Sequence, residues 1–265
     1  MSTKTIKYFF LSIFLFSIFS NNVNAARKKL VLAGDYWCPY NCSKDPNYQG
    51  FLVDVTRRAL HIYGIDIEYR IMPWRKALTG IKKGKIDGII GISQIKGLNL
   101  VTTKFPLEYS VISAFTRNDS DWVYDGSDSL RGKKLGIIMD YDLNEEINNF
   151  FGMHYTTNPR IFVVEDGKKA VRDSINNLIN GISDVYVEDQ RVGEYYIKKY
   201  NLSNYIKNAG IISNEHLPLY VAFNTEIPDV KEYIKFLEEG IASLKATGEY
   251  EELRVKYKMG LENKD

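Results

Sequence analysis

Histidine and cysteine are scarce in this sequence, with three of the former and two of the latter in 265 residues. His61, His154 and His216 are scattered, and none has the short spacing of a metal-binding pair. The usual catalytic signatures are missing as well: there is no G-x-S-x-G elbow, no Walker loop and no G-x-G-x-x-G. Nor is there an excess of one charge. With Lys4 and Lys7 set aside in an N-terminal leader, the 35 basic residues of the chain fall level with its 33 acidic ones. That argues against nucleic acid as a partner, since such binding needs a clustered excess of Lys and Arg. The doublets Lys82-Lys83 and Lys198-Lys199 read instead as solvated faces. No stretch after residue 25 is apolar for long enough to span a bilayer, and no linker rich in Pro, Gly or Ser divides the chain.

What is present begins with a targeting segment over residues 1–25. Lys4 and Lys7 precede the apolar run Tyr8 to Phe19, and Val23-Asn24-Ala25 supplies small residues at a cleavage point, so the mature chain is expected to start at Ala26. As a helix the run rises about 18 Å, short of a hydrocarbon core of about 30 Å, which favours a cleaved signal peptide over an anchor. The expected location is the periplasm. Both cysteines then fall in Trp37-Cys38-Pro39-Tyr40-Asn41-Cys42. Their spacing is that of neither a redox C-x-x-C nor a zinc site, and in an oxidising compartment it predicts a small structural disulfide between Cys38 and Cys42. That loop would be stiffened around Trp37 and Tyr40.

Apolar patterning alternates between strands and helices. Strands are expected at 29–33, 65–72 and 86–91, with helices at 51–63 and 74–81 between them. This β-α-β-α-β order implies a parallel-type sheet with helices on both faces. A second unit repeats it, with strands at 135–139, 160–164 and 184–187 and helices at 142–150, 168–180 and 190–200. Two segments, 109–117 and 217–224, can cross between the units, and the tail is helical over 230–244 and 248–257. The expected division is lobe 1 from 26–113 and 218–265, and lobe 2 from 114–217.

Ligands of such sheets sit beyond the carboxyl ends of the strands. That rule selects Asp35 and Trp37 after the first strand, Trp74 after the second and Ser93 after the third. In the second unit it selects Asp140-Tyr141-Asp142 and Glu188-Asp189. Trp37, Tyr40, Trp74 and Tyr141 are candidate walls of a pocket, because amphipathic rings give large contact area. Asp142 also matches a capping box with Glu145, and Trp122 reads as structural.

The order of Gly50-Phe51-x-x-Asp54, Pro73-Trp74-Arg75-Lys76-Ala77-Leu78 and Gly84-Lys85-Ile86-Asp87-Gly88 resembles the family 3 extracellular solute-binding proteins of polar amino-acid ABC transporters. Ser129 to Gly136, Tyr220 to Phe223 and Gly248-x-Tyr250 extend the resemblance over nearly the whole mature chain. It implies an α/β, two-lobed periplasmic binding protein fold with two crossing hinge strands, closing on a small polar molecule. It also implies a membrane permease as partner, no cofactor and a monomer. Family members hold an α-carboxylate with an Arg where Lys96 stands here, and an α-amino group with an acid matched by Asp189. Asp140 and Asp142 occupy the place of the carboxylate-binding turn and would repel an anion, so a neutral or cationic ligand is expected. The ligand set is therefore Asp35, Trp37, Tyr40, Trp74, Ser93, Lys96, Tyr141, Asp142 and Asp189. A sensor acting through a separate membrane partner is the alternative. A cyclohexadienyl dehydratase-like enzyme is set aside for want of an acid/base pair with a fixed orienter.

Overall fold

The computed structural model describes residues 28–95, 97–143, 145–151, 157–212 and 216–260. Residues 1–25, where a targeting segment is expected, Lys96 and His154 lie outside the described residues. Two sheets form the two lobes. In the first, β1 (Lys28–Gly34) pairs in parallel with β2 (Ile65–Ile71) on one side and β3 (Gly88–Ile92) on the other. α1 (Phe51–His61) and α2 (Trp74–Lys82) are the crossovers. The run Leu52, Val55, Ala59 and Leu60 lies on one stripe of α1 and is buried, as a 3.6-residue period requires.

The chain crosses to the second sheet between β5 (Glu108–Ser110) and β6 (Ile112–Arg117), two residues before the expected boundary at 113. There β7 (Leu135–Ile138) pairs in parallel with β8 (Ile161–Val164) and β9 (Val185–Asp189). α3 (Glu145–Phe151), α4 (Ala170–Ile179) and α5 (Gln190–Lys199) connect them. The return strand β11 (Leu217–Asn224) re-enters the first sheet between β3 and β4 (Leu100–Thr102). α6 (Val230–Thr247) and α7 (Glu249–Tyr257) then close the chain against α1. Gly240 of α6 sits where a Cβ would come within 2.4 Å of the Ala59 carbonyl, so this helix contact requires a glycine.

The sheets are mixed, not purely parallel. β11 runs antiparallel to β3, and β6 runs antiparallel to β9 and to β10 (Ile206–Ile211). The reason is topological: a strand arriving from the other lobe enters its new sheet from the hinge end, opposite to the strands already there. β4 and β10 carry no period that would announce them. β4 has 3 residues, and β10 reads Ile-Lys-Asn-Ala-Gly-Ile at the edge of its sheet. Trp122 packs into the second lobe's core and donates from Nε1 to the Ser129 carbonyl at 3.2 Å, a structural role.

Candidate functional site between the lobes

The loop after β1 is built by local bonds before any ligand is considered. Cys38 and Cys42 are disulfide-bonded, and Trp37 and Asn41 exchange backbone hydrogen bonds of 2.8 and 2.9 Å. Gly50, at φ 116, lies where a Cβ would be 2.2 Å from the Tyr40 carbonyl oxygen, so the loop packs against backbone that only glycine provides. The Trp37 ring stacks on Tyr40 at 4.5 Å between centroids. Tyr40 is wholly buried behind it and does not line the cleft.

A cavity of about 540 Å³ opens between the lobes, a size that suits a small solute. Asp35, Trp37, Trp74, Ser93, Tyr141 and Asp142 of the expected set line it. Each lies at or just past the carboxyl end of a strand, where loop residues are freed from the ladder and can point inward. At the end of β7, Asp140 takes a left-handed φ of 62, which turns the chain so that Tyr141 faces the other lobe. Lys96 lies outside the described residues, though its neighbours Gln94 and Leu98 line the cavity.

Opposite walls of the cleft are joined by a reciprocal exchange. Tyr141 of the second lobe donates to Asp35 of the first at 2.6 Å, and Trp37 of the first donates from Nε1 to Glu188 of the second at 3.0 Å. The two rings meet edge to face at 6.3 Å. Nearby, Asp142 Oδ2 accepts from Ser93 at 2.7 Å and from Gln94 at 3.0 Å, and its Oδ1 accepts from Asn148 at 3.0 Å. At the rim, Arg75 pairs with Asp166 and Glu165 of the second lobe, with Asp140 at 3.8 Å. Burial raises the carboxyl of Asp35 to about 6, against the lowering effect of the Tyr141 and Asn41 hydrogen bonds. It raises Glu188 to about 7 against Trp37 and Tyr186.

Asp189 stands apart from the expected role. It is wholly buried and does not line the cavity. Its Oδ1 caps α5 by accepting from the Val192 N–H at 2.9 Å. Its Oδ2 accepts from Ser110 at 2.7 Å, Tyr40 at 3.1 Å and the Val111 N–H at 3.2 Å. These bonds tie β9 to the crossing at Val111. Glu188, one residue earlier, takes the place in the cavity wall, because successive strand residues face opposite ways. The signal was in the sequence: an Asp directly before a helical run is an N-cap. Asp140, selected at its strand end but left out of the ligand set, also lines the cavity, as do Gln94 and Asn148, which the strand-end rule did not select.

Two lobes of mixed sheet joined by crossing strands, with a polar and aromatic cavity between them, define the two-lobed periplasmic binding protein fold. The sequence profile of the bacterial extracellular solute-binding proteins, family 3, matches residues 30–260, and the chain belongs to that family. Among solved structures, it is similar to ArtJ, the arginine-, lysine-, histidine-binding protein of the thermophilic bacterium Geobacillus stearothermophilus. The identity is 18%, with 89% of this chain and 97% of that one covered and a TM-score of 0.71. A structure from work on glutathione import via GshT and the cystine ABC importer TcyBC of Streptococcus mutans aligns at 18% identity. It covers 88% and 95% of the two chains, with a TM-score of 0.72. A histidine kinase sensor domain with similarity to periplasmic binding proteins aligns at 24% identity, 87% and 96% coverage and a TM-score of 0.70. At these identities the likeness is one of fold. Among curated proteins, none matches in sequence. Proteins of this family bind small ligands and work with ABC-transporter permeases. Among the described residues, no helix is long and apolar enough to cross a membrane.

Proposed function

We propose that the protein captures a small, amine-bearing solute, an amino acid or a relative of one, in the periplasm and delivers it to the permease of an ABC transporter by hinge closure. The observation that carries this reading is the composition of the cavity wall. Asp35, Asp140, Asp142 and Glu188 line it with Trp37 and Trp74, and the described lining residues include no Lys, Arg or His. A group of carboxylates, of which Asp35 and Glu188 are buried, opposes an anion and favours a cation, while ring faces add contact and cation–π attraction. Micromolar affinity corresponds to about −8 kcal/mol, which a few charge-assisted bonds and two ring contacts supply once the costs of association are met. Calorimetric titration with L-lysine, L-arginine, L-glutamate and putrescine tests it. Binding of one or more of the cationic probes at about micromolar Kd is expected; tight binding of glutamate alone overturns it.

A second reading is favoured by the fold shared with a histidine kinase sensor domain. In it the same closure reports occupancy to a separate membrane receptor. Capture of the loaded protein by a permease, as against a receptor, separates the two.

A further inference from the structure

We propose that the outer face of α2 forms a second site, which takes a phosphate-bearing anion, and that an anion seated there opposes closure of the lobes. The site stands apart from the solute cavity; its link to closure rests on the hinge-closing reading above. α2 is a wall shared by two cavities of opposite charge. Trp74 and Leu78 line the solute cavity, whose described lining holds four acids and no Lys, Arg or His. Arg75, Lys76, Gly80 and Lys83 line a second cavity, also of about 540 Å³, with Lys85 and with Asp166 of the other lobe. Positions 76, 80 and 83 recur at helical spacing and share one face. The helix end gathers the charge. The Gly84 N–H donates to the Ile81 carbonyl at 3.1 Å and the Lys85 N–H to the Gly80 carbonyl at 2.9 Å. With Gly84 at φ 62 this is a Schellman turn, which folds Lys85 back beside the turn that carries Lys83. Gly80 keeps the cavity floor low. Glycine inside a helix costs stability relative to alanine, yet a Cβ here would meet nothing closer than Ile86 at 3.5 Å. Packing does not call for this glycine, whereas space for a ligand does.

Charge decides what this cavity holds. From Pro73 to Ile86 the sequence carries five cations and no acid. Among the described residues, no ion pair joins Lys76, Lys83 or Lys85 to an acid. Asp166, the one carboxylate of the lining, has both oxygens on Arg75, at 2.8 Å to its N–H and 3.1 Å to its Nε. Three ammonium groups around one cavity suit an oxyanion of more than one charge, since Lys serves phosphate as a point charge. The volume lies within the range of small-molecule sites and leaves room for a diphosphate or a small phosphorylated molecule. The link to closure runs through Arg75. Asp166, Glu165 and, at 3.8 Å, Asp140 all approach its guanidinium from the second lobe. Parting of the lobes removes those acids and leaves Arg75, Lys76, Lys83 and Lys85 to the anion alone. The anion therefore binds the open form better, and by linkage solute and anion weaken one another.

The test titrates sodium pyrophosphate into wild type, Lys83→Ala/Lys85→Ala and, as a control of equal charge, Lys198→Ala/Lys199→Ala, at an ionic strength held at about 0.15 M. All four lysines are exposed, so each variant keeps the core. Saturable binding is expected in wild type and control, weakened about tenfold or more in Lys83→Ala/Lys85→Ala. No saturable binding by wild type, or an equal loss in both variants, overturns the proposal and leaves the amine reading standing. Titration of L-lysine and putrescine in saturating pyrophosphate is expected to show wild type weakened about fivefold or more, and Lys83→Ala/Lys85→Ala less than about twofold. An unchanged wild type overturns the link to closure. So does an equal weakening of the variant, which marks pairing of amine with pyrophosphate in solution. If wild type binds neither amine, the amine reading falls and the link to closure with it, while the pyrophosphate titration still decides the site. Cosedimentation with phosphatidylglycerol vesicles, against phosphatidylcholine, separates the sources of the phosphate. Binding to the former that is lost in Lys83→Ala/Lys85→Ala assigns a lipid headgroup, and pyrophosphate binding without it assigns a free anion.

Discussion

Glu188 and Asp189 are adjacent carboxylates on one strand, and the pleat sends them to different work. Glu188 turns into the cavity wall, while Asp189 turns toward the first turn of α5 and the crossing at Val111. The acid chemistry at this strand end was legible from the sequence; which of the two would face the ligand was not, because alternation gives parity only once the strand's register in the sheet is known. The same limit applies to Tyr40, whose ring was legible as part of a stiffened loop but whose burial behind Trp37 depends on packing. The assignment of Asp189 to a brace predicts the outcome of Asp189→Asn. The amide can still cap Val192, but it places N–H groups against the Ser110 and Tyr40 hydroxyls or the Val111 N–H. A loss of about 1–3 kcal/mol of unfolding free energy is expected in a urea titration. An unchanged midpoint would remove the brace.

At the scale of elements, α2 is preceded at its N-cap by Pro73, which has no side-chain acceptor to cap it. The missing acceptor comes from the other lobe. Asp166 Oδ2 accepts from the Arg75 N–H at 2.8 Å and its Oδ1 from the Arg75 side chain at 3.1 Å, with Glu165 on the same guanidinium. This cap joins the two lobes, so under the proposed hinge closure it would contribute to the closed form alone. Asp166→Ala should therefore weaken ligand binding by about five- to thirtyfold, matching a cap of about 1–2 kcal/mol, through a faster off-rate. Stopped-flow release measured beside wild type checks this, and an unchanged off-rate counts against a closure latch. Pro73-Trp74-Arg75 was legible as a helix start with an aromatic beside a strand end. The partner of Arg75 was not, since it lies 91 residues further along the chain. β4 and β10 escaped notice for the opposite reason: they are local but too short or too polar to carry a period.

For the molecule as a whole, the C-terminal helices hold the crossing from behind. Arg254 is 1% exposed and pairs with Glu108 at the start of β5, also reaching the Gly260 carbonyl at 3.0 Å. The Tyr250 hydroxyl donates to the Leu107 carbonyl at 2.6 Å, and Arg191 of the second lobe reaches the Met259 carbonyl at 2.7 Å. The last segment of the chain thus binds the crossing strand and the opposite lobe together. Arg254→Met would leave Glu108 as a buried charge without its main partner, and a loss of about 3–5 kcal/mol is expected on thermal unfolding. A change below about 1 kcal/mol would show that Glu108 finds another cation.

Local and periodic information settled much by itself. Apolar spacing gave the alternation of strands and helices, the close spacing of the two cysteines gave the disulfide, and the carboxyl ends of strands gave eight of the lining residues, six of them in the expected ligand set. These follow from neighbours within a few residues, where a period or a turn fixes direction. The tertiary structure decided the rest: which of two adjacent acids enters the cavity, which lobe caps α2, and how Trp37 and Tyr141 exchange hydrogen bonds with acids across the cleft. The last two join residues some 90 to 150 positions apart, and only the packing of one lobe against the other brings them within hydrogen-bond reach.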